Sequence, residues 1–152
     1  MRNSPPIVEG IGAGFSTFYR GAQSLRLDLR SGRGREVLAQ LLARADVFVE
    51  SFRTGTLEAW GISLDELEAT NPRLVSCSLP GHADDRVGHD LNFIAESGLL
   101  ARLARGGNAV DVPPLQLADV SSGLLASTAI CSALVQRGRS GRGRRIRQPL
   151  VA

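Results

Sequence analysis

Two short stretches place groups that titrate or attack at the mouths of helices. Residues 87–100 read VGHDLNFIAESGLL, with Gly88, His89 and Asp90 just ahead of an apolar-periodic segment. Further on, PPLQLADVSSGLLAS has Asp119 opening a second such segment. An imidazole titrates near neutrality, so His89 is suited to take and return a proton. A helix N-terminus favours its neutral form, the form that acts as base. Asp119, reached through Leu115, Gln116, Leu117 and Ala118, is a candidate general base or nucleophile. The backbone N–H groups of Val120 and Ser121 are then expected to stabilise an oxyanion. Each residue also has a plainer reading. Asp90 and Asp119 are good helix caps, and His89 is an ordinary loop residue. His82, in a polar loop, reads as incidental.

Arginine supplies a second kind of chemistry. Arg53 in VESFRTG follows directly on a β-type run, and its planar fork suits a phosphate. LDLRSGRGRE is a Gly-rich turn before a helical pattern, flanked by Arg30, Arg33 and Arg35. Such a turn can cradle a phosphate on backbone N–H groups. It matches neither G-x-G-x-x-G nor a Walker sequence, so on its own it reads first as a solvated turn. Cys77 and Cys131 lack any CxxC or Cys/His ligand spacing and read as packing residues.

The elements that must carry these groups follow from periodicity. Residues 1–18 are rich in Gly, Pro and Ser and read as irregular. SLRLDLR (24–30) alternates like a strand, SGRG (31–34) is a turn, and residues 35–45 have helical spacing. DVFVES (46–51) reads as a buried strand and TLEAWG (56–61) as one helical turn. Ser63 to Glu66 is a capping box opening a helix that Pro72 ends. RLVSCSL (73–79) is a further β-type run. One helix is expected after His89, a loop over 105–118, and a helix beginning at Asp119. This alternation predicts an α/β fold with a parallel sheet and covering helices. In such folds ligands bind beyond the carboxyl ends of the strands, here after Leu29, Glu50 and Leu79.

The 152 residues, 43% of them hydrophobic, suit one domain with a real core. All 18 cationic side chains are arginine, and six of them (137, 139, 142, 144, 145 and 147) crowd the end of the chain, where no acid follows Asp119. The rest is mildly acidic, so the isoelectric point near 9.6 belongs to the tail. No aromatic interleaves these arginines and no nucleic-acid motif precedes them, so no nucleic-acid partner is expected. The longest apolar run, GLLASTAICSALV (123–135), is shorter than the ~18 residues of a membrane span. MRNSPPIVEG has no apolar leader segment, so a cytoplasmic protein without a membrane partner is expected.

Taken in order, residues 27–79, VGHDLNFIAESGLL, PPLQLADVSSGLLA and ALVQRGRSGRGRRI resemble the family III coenzyme A transferases (CaiB/BaiF type). Within these they are most similar to the α-methylacyl-CoA racemase branch. The resemblance spans roughly residues 18–146. It implies a Rossmann-like α/β core joined to a smaller domain, with two chains interlocked as linked rings. It places Leu27, Asp28 and Arg30, with Ser51, Phe52 and Arg53, on a surface that binds coenzyme A. Gly88, His89 and Asp90 would line the thioester site, and Asp119 falls on the family's catalytic aspartate. A histidine at position 89 is the racemase feature. Inverting the carbon beside a thioester takes one acid/base group on each face, and His89 and Asp119 would supply the pair. The alternative is a transferase in which Asp119 becomes acylated. Neither needs a metal or a cofactor beyond the coenzyme A of an acyl-CoA substrate.

The departures are equally specific. Ser51-Phe52-Arg53-Thr54-Gly55 replaces the family's Asn-Phe-Arg-Pro-Gly, residues 20–24 lack its basic pair, and the loop before Gly88 is shorter. The organisation expected is an irregular segment over 1–18, a partial large domain over 19–138, and an arginine-rich, aberrant tail over 139–152. The tail begins like the family's next strand. A chain truncated at both ends is expected, with an inactive remnant as a third alternative.

Overall fold

A computed structural model describes residues 2–103 and 112–151. Three parallel strands form its centre: β3 (Val47–Glu50), β4 (Val75–Ser78) and β5 (Arg145–Arg147), in the order β3-β4-β5. Ahead of them lie β1 (Ile7–Val8), β2 (Ile11–Gly12), α1 (Ala13–Phe18) and α2 (Gly32–Leu42). The β3–β4 crossover holds α3 (Thr56–Ala59) and α4 (Leu64–Thr70). The β4–β5 crossover holds α5 (Asp90–Glu96), α6 (Leu99–Leu103) and α7 (Leu117–Ser140). The α/β class with a parallel sheet is as expected.

β4 is central because its residues pack on both sides. Val75 and Cys77 are 0% and 1% exposed, and both edges of the strand are paired. Val47 sits opposite Val75, and Cys77 opposite Ile146. Leu42, Leu57, Ile62, Leu74, Phe93, Ile94, Ala126 and Ala133 close the core around this strand. Burial pushes the Cys77 thiol above its ordinary value, with the Glu50 charge adding to it. Cys131 is exposed on α7, so the packing role expected of it holds for Cys77 alone.

Several elements depart from the periodic reading. Residues 24–30 form no ladder, although they alternate like a strand. An alternating pattern becomes a strand only beside a partner edge, and neither sheet offers one to this segment. Within the segment expected to be irregular, residues 7–18 are ordered: β1 and β2 pair antiparallel and run into α1. The SGRG turn is the start of α2. Ser31 caps it, its hydroxyl accepting from the Gly34 N–H at 3.0 Å and donating to the Asp28 carbonyl at 2.8 Å. A side chain at Gly34 would collide with that carbonyl. The helix after His89 breaks at Gly98, whose φ is +75°, giving α5 and α6. Part of the loop expected over 105–118 lies outside the described residues.

α7 begins before Asp119 and runs 24 residues, past both ends of the apolar run. By length and composition alone it is long and apolar enough to cross a membrane, contrary to the expectation from the shorter run. Its buried residues, Ser122, Ala126 and Ala133, are small, so the helix lies close over the sheet. The arginine-rich end is also part of the fold. After β5, Gln148, Leu150 and Val151 donate backbone N–H bonds to the carbonyls of Ser78, Pro80 and Gly81. The tail therefore runs alongside the chain leaving β4.

Candidate active site

The N-termini of α5 and α7 converge beyond the sheet. His89 is the cap residue of α5, in extended conformation, and its N–H donates to the Asn92 side chain at 3.0 Å. Gly88 must be glycine, because an added Cβ would lie 2.6 Å from the buried Phe93 ring. That close packing sets His89 at the rim of the helix. Asp119 is not the cap of α7. Gln116 holds that position, and Asp119 is the third helical residue.

Asp90 joins the two mouths. Its Oδ1 accepts the Asp119 N–H at 2.9 Å, while the Gln116 amide donates to Asp119 Oδ2 at 3.0 Å. The Asp119 carboxyl is held above the ordinary carboxylate range, first by burial and then by the Asp90 charge, with His89 acting in the opposite sense. The N–H groups left open at the helix mouths are not those of Val120 and Ser121. The Val120 N–H is bonded to the Gln116 carbonyl at 3.0 Å, and Ser121 lies deeper in the helix. The groups with no intrahelical acceptor are those of the first turns: Asp90 and Leu91 in α5, Leu117 and Ala118 in α7.

A cavity of about 510 Å³ brings His89, Asp90, Gly88 and Asp119 together with Ser51. Tyr19, Gln116 and Leu150 are among the other residues that line it. A second cavity, of about 460 Å³, shares Ser51, Gly88 and His89 with the first and extends past Phe52 and Arg53. The expected sites after Glu50 and after Leu79 thus meet at His89. Leu27, Asp28 and Arg30 line neither cavity. Arg30 reaches the site only through aromatic contacts: its guanidinium lies 5.9 Å from the Trp60 ring, which meets Phe52 edge-on at 5.1 Å. Asp28 instead accepts the Arg30 N–H at 3.0 Å and shapes the start of α2.

Three residues escaped the sequence reading. Tyr19 follows directly on the segment read as irregular, and no local pattern marks it. Leu150 comes from the tail. His82, read as incidental, is 2% exposed. Its Nδ1 lies 2.8 Å from the Arg86 carbonyl and its Nε2 3.1 Å from Glu96. The ring also stands edge-on to Phe93 at 5.1 Å. His82 therefore anchors the loop that carries Gly88 and His89. Only the folding of α5 back over this loop, which brings Phe93 and Glu96 to the ring, reveals this.

Comparison with known proteins places this arrangement. The model of CoA-transferase family III matches residues 1–152, a wider span than the motifs alone cover. The α-methylacyl-CoA racemase of Mus musculus is 40% identical over 139 residues, covering 87% of this chain and 36% of the racemase. The succinyl-CoA:mesaconate CoA-transferase of Haloarcula hispanica is 33% identical, covering 94% of this chain and 40% of the transferase. The crystal structure of a CAIB/BAIF family protein from Brucella suis superposes with a TM-score of 0.87 at 33% identity, covering 97% of this chain and 41% of that one. The chain thus spans well under half the length of these relatives.

Proposed function

The chain belongs to CoA-transferase family III, and from that membership we propose that it acts on an acyl-CoA thioester as a racemase, inverting a methyl-bearing α-carbon. The observation that carries this reading is the placement of His89 and Asp119 in the wall of one cavity. The α-proton of a thioester is removed on one face and returned on the other, which takes two acid/base groups. His89 and Asp119 act as that pair. The free N–H groups at the two helix mouths hold the enolate oxygen as charge develops. Phe52 and Arg53 line the adjoining cavity, where the coenzyme A portion lies. The raised Asp119 carboxyl suits the role, since an acid/base group works best when its pKa approaches the working pH.

The test is solvent exchange. Incubated in deuterium oxide, the protein is expected to place deuterium at the α-carbon of 2-methylbutanoyl-CoA and to interconvert its two hands. Unlabelled, uninverted thioester would sink the reading. A transferase reading is kept by the similarity to the Haloarcula enzyme. There, Asp119 attacks the thioester carbonyl, expels coenzyme A thiolate and becomes acylated. Hydroxylamine would cleave that anhydride in a transferase, either releasing the acyl hydroxamate or leaving Asp119 as its hydroxamate with the acid expelled, and a racemase yields neither product.

A further inference from the structure

One carboxylate oxygen joins three segments that leave the same end of the sheet. Asp85 Oδ1 accepts the Thr54 hydroxyl at 2.6 Å and the Arg147 guanidinium at 2.6 Å. Thr54 lies on the loop after β3, Asp85 on the loop after β4, and Arg147 is the last residue of β5. All three strands are parallel, so these are the carboxyl-end segments between which open α/β sheets hold ligands. Thr54 and Asp85 stand in the wall of the 460 Å³ cavity together with Arg53, Gly88 and His89. Asp85 adopts φ +67°, a left-handed conformation that most side chains avoid and aspartate tolerates. Such a conformation persists where its surroundings hold it in place.

We propose that Thr54, Asp85 and Arg147 form a positioning clasp. It holds the Arg53 loop against the loop carrying Gly88 and His89, and so sets the width of the cleft by which substrate reaches His89. The proposal rests on the acyl-CoA reading above. The clasp works through local order and not through global stability. Arg147 and Asp85 side chains are 43% and 48% exposed, and ion pairs of that kind contribute little to unfolding. Their effect appears in how often two loops part.

The experiment compares the wild-type chain with Thr54→Val, which removes the hydroxyl at nearly constant volume, and Thr54→Ser, which keeps it. Amide hydrogen exchange is followed over residues 50–56 and 82–88 without ligand, and the Kd for 2-methylbutanoyl-CoA is measured by calorimetry. Thr54→Val is expected to exchange faster in both loops and to bind about fivefold more weakly, the effect of one hydrogen bond. Thr54→Ser should restore both values, and the melting temperature of all three proteins should agree. A valine variant that exchanges and binds like wild type overturns the clasp. So does a serine variant that fails to rescue, because packing and not the hydroxyl would then be responsible. Wild-type protein that does not bind the thioester overturns the acyl-CoA reading, and the exchange data alone then decide the clasp.

Discussion

The two helix mouths at the site are fastened in different ways. The start of α5 is tied to its own helix, since Asn92 takes the His89 N–H and the ring of Phe93 packs beneath Gly88. The start of α7 has no side-chain cap of its own and is held from outside by Asp90. One consequence is electrostatic. A helix N-terminus normally favours a carboxylate, yet the Asp119 carboxyl is pushed the other way. Burial comes first among the causes, followed by the second carboxylate that secures the helix. The residue that fastens α7 is thus also one that makes Asp119 a stronger base.

The sharpest way to test this contrast is to remove each group in turn. His89→Gln and Asp119→Asn are each expected to slow racemisation by about 10²–10⁴-fold. In a two-base site each hand of the substrate loses its proton to a different residue. Each variant should therefore still wash deuterium into one hand and not the other, as read by chiral separation after exchange. Equal exchange into both hands by both variants would show that neither residue is a base. The next effect is on folding. Gly88→Ala drives a methyl into Phe93 and His82, and should lower stability by about 1–3 kcal/mol in urea unfolding. An unchanged midpoint would mean that the mouth of α5 yields more easily than its packing indicates.

The smallest effect concerns pH. Asp119 must be ionised to act as a base, so activity falls as pH drops through its raised value. Asp90→Asn removes a negative neighbour but keeps an oxygen for the Asp119 N–H. The acid limb of the rate profile should then move to lower pH, by less than about one unit. A limb that stays in place would leave burial as the only cause of the raised value.

What could be read from the chain follows the distance over which each feature is determined. α2, β3, α3, α4 and β4 were legible because their periods, the Ser63 cap and the glycine at 61 act within a few residues. His89, Asp119 and Arg53 could be singled out by type and by their place after a strand or before a helix, whereas Ser51 entered only through the family resemblance. The failures are non-local. Leu25, Leu27 and Leu29 alternate, but a strand also needs a neighbouring edge. The register of α7 slipped because Asp119 resembles a cap, while Asp90, distant in sequence, holds the first turn. Tyr19 and Leu150 reach the site only through tertiary packing, and His82 supports it from behind through Phe93 and Glu96.

The sheet register also bears on how the chain is made. β4 pairs with β3, which precedes it closely, but its other edge waits for Arg145–Arg147, near the end of the described chain. During synthesis at ~5–20 residues per second, β4 and β3 emerge together while the second edge of β4 stays bare for several seconds. Bare strand edges recruit foreign strands. A ribosome stalled between α6 and β5 would therefore hold a nascent chain with its most buried strand open to the solvent, and that is the stage at which a holding chaperone would matter most.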